Sequence, residues 1–166
     1  AGTVVKDADI DSAIGAGDAP AGRIGIVASR YNSLVTDALV AGATEACRRL
    51  GLAEDRIDVV RVPGALEIPL AAAAMAKSGR YIALACLGAI LRGETDHHDH
   101  VASVATKGIG EIMRDHGIPV AHGILSCDSL EQALQRAGGK LGNKGAEAVT
   151  TALEMASLMA RIKAGN

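Results

Sequence analysis

Tryptophan and phenylalanine are absent from this 166-residue chain, and Tyr31 and Tyr81 are its only tyrosines. A core must therefore be made of Ala, Val, Ile and Leu, side chains small enough to let helices lie close to a sheet. No apolar run approaches the ~20 residues of a membrane-spanning helix. No long basic run stands out against a net charge of −2, which argues against nucleic acid or an anionic membrane as partner. No basic start leads into an apolar segment, so no secretory signal is expected. Cys47, Cys86 and Cys127 are odd in number and form no C-x-x-C pair, the pattern of free thiols in a reducing, cytoplasmic setting.

What is present suits one domain with a sizeable core. Residues 1–22 mix Gly, Ala and Asp without a sustained period and read as an N-terminal arm; residues 23–166 read as a single domain. Apolar, β-branched runs at 23–29, 57–62, 81–91 and 119–126 predict four strands. Between and after them, helical patterns are predicted over 33–50, 67–77, 97–116, a short stretch ending at Ala137, and 146–163. Asn32 or Ser33 can cap the first helix, and Asp128 or Ser129 the short one. Residues 138–145 read as a glycine loop. Strand and helix alternate four times, which predicts an α/β fold: a four-stranded parallel sheet with helices on both faces. In such sheets ligands bind beyond the carboxyl ends of the strands. The polar residues there are Arg30 to Asn32, Pro63 to Glu67, Arg92 to His97, and Ser126 to Asp128.

The stretch 87–100, Leu-Gly-Ala-Ile-Leu-Arg-Gly-Glu-Thr-Asp-His-His-Asp-His, concentrates the chemistry. Gly93-Glu94-Thr95 precede a helix whose first N–H groups can hold a phosphate or simply be capped by Thr95 or Asp96. His97 stands at the helix mouth, where an imidazole can carry protons or be an ordinary cap or surface residue. His97, His98 and His100 also invite a metal reading. A metallo-β-lactamase-type His-x-His-x-Asp-His pattern fails because Thr95 holds its first position, and only His97 and His100 could share a helix face. Arg136 offers a fork for phosphate oxygens or a partner for a helix C-terminus. Tyr31 can stack on a heterocycle or pack in an interface. Glu67 opens a helix, which favours a carboxylate without any function.

Four segments together resemble the 6,7-dimethyl-8-ribityllumazine synthase family: Val-Pro-Gly-Ala-Leu-Glu-Ile-Pro (62–69), Leu-Gly-Ala-Ile-Leu-Arg-Gly-Glu-Thr-x-His (87–97), Leu-Glu-Gln-Ala-Leu-Gln-Arg-Ala-Gly (130–138) and Gly-Asn-Lys-Gly (142–145). The likeness spans about Arg23 to Ala160. It implies a three-layer flavodoxin-like fold and a homo-pentamer with sites between neighbouring subunits, which some members pack into a 60-copy icosahedral shell. The N-terminal arm would then join a neighbour. The implied transferase reaction, the penultimate step of riboflavin biosynthesis, condenses 5-amino-6-(D-ribitylamino)uracil with 3,4-dihydroxy-2-butanone 4-phosphate, without metal or organic cofactor. By position, Tyr31 would stack on the uracil and Ala65, Leu66 and Glu67 would meet the ribityl chain. Ala89, Ile90 and Leu91 would hold the pyrimidine edge. Glu94 and Thr95, through their backbone, and Arg136 would bind phosphate with help from Lys144. His97 would move protons, and His122 would close over the ring from the neighbouring subunit. His98, His100 and His122 replace aromatics usual in the family, and Tyr31 a more common Phe or Trp. These replacements motivate an alternative, a flavin- or lumazine-binding or shell-forming homologue with weak catalysis.

Overall fold

The computed structural model describes residues 22–93 and 97–165. The expected arm therefore lies outside the described residues except for Gly22, and so do Glu94 and Thr95. In chain order the elements are β1 (Arg23–Ser29), α1 (Ser33–Arg49), β2 (Ile57–Val62), α2 (Ile68–Lys77), β3 (Tyr81–Leu91), α3 (His98–His116), β4 (Val120–Cys127), α4 (Leu130–Gln135), β5 (Ala137–Gly139), β6 (Gly142–Asn143) and α5 (Lys144–Ala164). A one-turn 3₁₀ helix at Glu54–Arg56 precedes β2, and another at Ala65–Glu67 precedes α2.

The main sheet has the order β2-β1-β3-β4. Every pairing in it is parallel, with Val27 beside Val60 and Cys86, and Cys86 beside His122. The carboxyl ends of all four strands consequently share one edge. The predicted α/β architecture is what forms. One core, on the α1 and α5 face, gathers Ile24, Ile26, Leu39, Leu87, Val149 and Leu153. The other, on the α2 and α3 face, gathers Val27, Ile68, Leu84, Ile109 and Ile124. Truncating a fully buried leucine such as Leu39 or Leu84 costs about 2–5 kcal/mol.

Small residues allow the close layering that the missing aromatics imply. A side chain at Gly108 of α3 would meet the Pro69 ring of α2 at 2.7 Å. Gly25 on β1 gives way to Tyr81, whose ring passes within 3.2 Å of where a β-carbon would sit. The Tyr81 hydroxyl donates to Asp58 Oδ2 at 2.8 Å, so one side chain joins β3 to β2 across β1. Burial first, and then the Asp58 carboxylate, raises the phenol's pKa. This tyrosine is a structural bolt.

The helix bounds depart little from expectation, but the glycine loop does not. Residues 137–143 form a two-stranded antiparallel hairpin, with Gly138 at φ 108° and Gly142 at φ 83°. Asn143 then starts α5 two residues earlier than predicted: its Oδ1 accepts from the Gly145 and Ala146 N–H groups, and its Nδ2 donates to Ala38 O at 3.0 Å. Cys47, Cys86 and Cys127 are buried and free. Burial pushes the Cys47 thiol to about 11 and that of Cys86 to about 12, so neither is a ready nucleophile.

Candidate active site

Backbone hydrogen bonds hold the strand ends in register. Arg30 N–H donates to Val62 O (2.7 Å), Tyr31 N–H to Pro63 O (3.0 Å) and Arg92 N–H to Cys127 O (2.9 Å). Asn32 follows in the left-handed region, φ 61° and ψ 51°, and is the sole non-glycine residue at positive φ among those described. It stands at the N-cap of α1 but makes no side-chain cap. Its amide donates instead to Ala89 O on β3, at 2.9 Å. That bond, which spans 57 residues of sequence, offsets a backbone conformation that asparagine tolerates better than most residues.

These constraints shape a small cavity of about 70 Å³ lined by Tyr31, Asn32, Ala65, Ala89, Ile90, Leu91 and Val101. The family resemblance implied five of the seven as substrate contacts; Asn32 was expected only at the sheet's ligand-binding edge, and Val101 was not expected. Asn32 was read as a cap, and its positive φ leaves no trace in composition. Tyr31 is 57% exposed, so its ring is available to a ligand. Leu66 is also exposed but does not line the cavity. Glu67 Oε1 accepts from Gly64 N–H at 3.1 Å, closing the turn that presents Ala65.

His97 occupies the N-cap of α3, and its ring makes no cap bond. Its carbonyl accepts from Val101 N–H at 2.9 Å, and the residue is exposed. Its ring is thus not a cap, and its exposure fits a surface residue as well as a proton carrier. His98 is occupied elsewhere. Arg92 Nε donates to His98 Nε2 at 3.1 Å and lies 3.4 Å from Asp128 Oδ1, and Asp99 Oδ1 lies 2.9 Å from the same imidazole nitrogen. Arg92 and His98 thus link the start of α3 to the end of β4. Among the described residues no three His, Cys, Asp or Glu side chains are placed to share a metal ion.

The remaining expected residues lie elsewhere. A second cleft, of about 370 Å³, is lined by Arg136, Lys144, Gln132, Ser126, Cys127, Leu141 and Glu147, with Ile124 and Leu125 of β4. Arg136 caps α4, and its Nη1 donates to Gln132 O at 2.9 Å, so the role of helix-end partner is filled. A guanidinium has five N–H donors, which leaves others for a ligand. Lys144 is the first residue of α5 and lies 4.0 Å from Glu147; its backbone N–H donates to Arg136 O at 2.8 Å. Hairpin and cap thereby hold both cations on one rigid support. His122 lines neither space. It is an exposed residue of β4, the outer strand, with Nε2 3.0 Å from Thr106 Oγ1. Partial burial of its ring lowers its proton affinity; a hydrogen bond with its own backbone opposes this, and nearby Lys144 adds to it.

Within one chain, then, the expected residues separate into an apolar cavity, with His97 one helical turn before its Val101, and a cationic cleft, with His122 earlier on β4, a strand that lines it. The first offers an exposed aromatic ring and apolar walls. The second suits an oxyanion.

The profile of the 6,7-dimethyl-8-ribityllumazine synthase family matches residues 21–160. A curated relative from Halorhodospira halophila (strain DSM 244 / SL1), the protein called 6,7-dimethyl-8-ribityllumazine synthase, is 47% identical over 142 residues, covering 86% of this chain and 91% of the relative. With the four-stranded parallel sheet and a match over most of its length, the chain belongs to the 6,7-dimethyl-8-ribityllumazine synthase family.

Proposed function

We propose that this protein is a 6,7-dimethyl-8-ribityllumazine synthase, condensing 5-amino-6-(D-ribitylamino)uracil with 3,4-dihydroxy-2-butanone 4-phosphate in riboflavin biosynthesis. Family membership carries the reaction. The separation of the expected residues into an apolar cavity and a cationic cleft supports how the site is built. Each region fits one part of the chemistry, and neither fits the whole. The reading is that the cavity of one copy meets the cleft of the next. The assembly is a cyclic pentamer, an arrangement that repeats one heterologous interface around a closed ring. Stacking of such rings into a shell, and a cytoplasmic location, belong to the same reading.

In this site Tyr31 stacks on the uracil, and Ala89 to Leu91 present backbone groups to its edge. Ala65, Leu66 and Glu67 meet the ribityl chain. Arg136 and Lys144 of an adjacent copy hold the phosphate, together with the backbone of Glu94 and Thr95 and the N-terminal turn of α3. The uracil 5-amino group attacks the ketone carbon, and loss of water gives an imine. A proton leaves the adjacent carbon and the C–O bond to phosphate breaks, releasing inorganic phosphate. The resulting enol tautomerises to a ketone. The ribityl-bearing amine attacks that carbonyl, and a second water leaves as the ring closes. Imine formation, elimination of phosphate, tautomerisation and ring closure together need no external oxidant or reductant, so no redox partner is required. His97 carries the protons. Much of the acceleration comes from holding two reactants in line.

The test is direct: mix the purified protein with both substrates and follow lumazine fluorescence. Turnover well above the spontaneous condensation is expected. A rate equal to the spontaneous one would leave the binding or shell-forming alternative in its place.

A further inference from the structure

His122 stands where the family resemblance leads one to expect a hydrocarbon ring, and an imidazole carries a cost there that such a ring does not. Its two nitrogens need partners, and a partner missed on ligand binding weakens the complex. Thr106 supplies one. It projects from α3 and its Oγ1 lies 3.0 Å from His122 Nε2. Thr44 and Thr150 behave differently. Thr44 Oγ1 donates to Val40 O at 3.0 Å and Thr150 Oγ1 to Ala146 O at 2.8 Å, each one turn back on its own helix. Thr106 reaches across to the strand instead.

Which of the pair donates depends on the ring tautomer. A Thr106 hydroxyl that donates to Nε2 holds the ring proton on Nδ1 and leaves the ring faces free of polar obligations.

We infer that Thr106 is a positioning residue that fixes the tautomer and plane of His122, so that the imidazole covers the pyrimidine as a neutral flat ring. This rests on the proposed function and deepens it: part of the uracil subsite is set from α3, by a residue that does not touch substrate.

Thr106→Val is nearly isosteric and removes only the hydroxyl. In steady-state assays it should raise KM for the ribitylaminouracil roughly three- to tenfold, the effect of losing one hydrogen bond, with kcat and the KM for the butanone phosphate little changed. Thr106→Ser should restore the wild-type value. In a His122→Phe background Thr106→Val should add nothing, because no ring nitrogen remains to hold. Nitrogen-15 NMR of the His122 ring should show the proton on Nδ1 in the wild type and a shift toward the other tautomer in Thr106→Val. Equal KM effects in both backgrounds, or a wild-type ring protonated on Nε2 alone, would overturn the inference while leaving the lumazine synthase reading intact. Absence of turnover in the wild type overturns that reading, and the inference with it.

Discussion

The apolar cavity and the cationic cleft are built by opposite means. Around Tyr31 the walls are Ala65, Ala89, Ile90 and Leu91, held by backbone hydrogen bonds and one strained asparagine. Around Arg136 and Lys144 the walls are polar, and a glycine hairpin with an asparagine cap supplies rigidity. Under the proposed function the first gives shape for a ring and the second charge for a leaving group. A reaction that joins a heterocycle to a phosphorylated ketone needs both, and the proposed association of copies brings them together.

Four perturbations would sharpen or break that contrast. The largest belongs to His97, one helical turn before the cavity's Val101. His97→Ala should lower kcat about 10²–10⁴-fold, and an unchanged kcat at saturating substrates would remove His97 from the chemistry. Next, Arg136→Ala should raise KM for the butanone phosphate by about ten- to a hundredfold, as loss of a charge-assisted hydrogen bond implies. The KM for the uracil should barely move, and added salt should weaken the wild type along the same axis. A rise in both KM values would mean that the two regions are not specialised. Smaller still is Asn32→Ala, which removes the bond to Ala89 O and leaves a β-carbon at φ 61°. It should cost about 1–3 kcal/mol of stability in denaturant unfolding, and Asn32→Gly should cost less because the strain is relieved.

The smallest effect is a pH dependence at His122. Its folded pKa lies below the ordinary value of 6.5, so between the two values the unfolded chain binds more protons. Stability from this group is complete above 6.5 and declines as pH falls through the folded value. His122→Phe should flatten that part of the acid limb in thermal melts across pH 5–7. An acid limb of unchanged slope would show that the ring titrates alike in both states.

The sheet was legible in the sequence because each strand is an apolar run stopped by a turn-former or a polar cluster: Ser29 before Arg30, Val62 before Pro63-Gly64, Leu91 before Arg92-Gly93. Of the residues lining the apolar cavity, the strand ends pointed to Tyr31, Asn32 and Ala65, and the family resemblance alone implied Ala89, Ile90 and Leu91. What escaped depended on long-range partners or special dihedrals. Asn32 looks like a cap until its amide is seen to reach Ala89. The hairpin at 137–143 is too short to show a period-two pattern, and its glycines read as loop. The three histidines at 97, 98 and 100 look alike in sequence. The structure separates His98, joined to Arg92, from exposed His97. Nor does chain order reveal that Tyr31 and Arg136 line different cavities.

Complementation between two impaired variants tests that separation most directly. His97→Ala spoils the apolar side of each site and Arg136→Ala the cationic side. Co-expressed with different affinity tags and purified through both, the mixed oligomers should regain lumazine formation at low butanone phosphate concentration. Random assembly of a heterologous ring leaves roughly a quarter of the interfaces with both sides intact, so activity should approach that fraction of the wild type. Mixed oligomers no more active than the two variants alone would place the whole site within a single chain and contradict a site shared between copies.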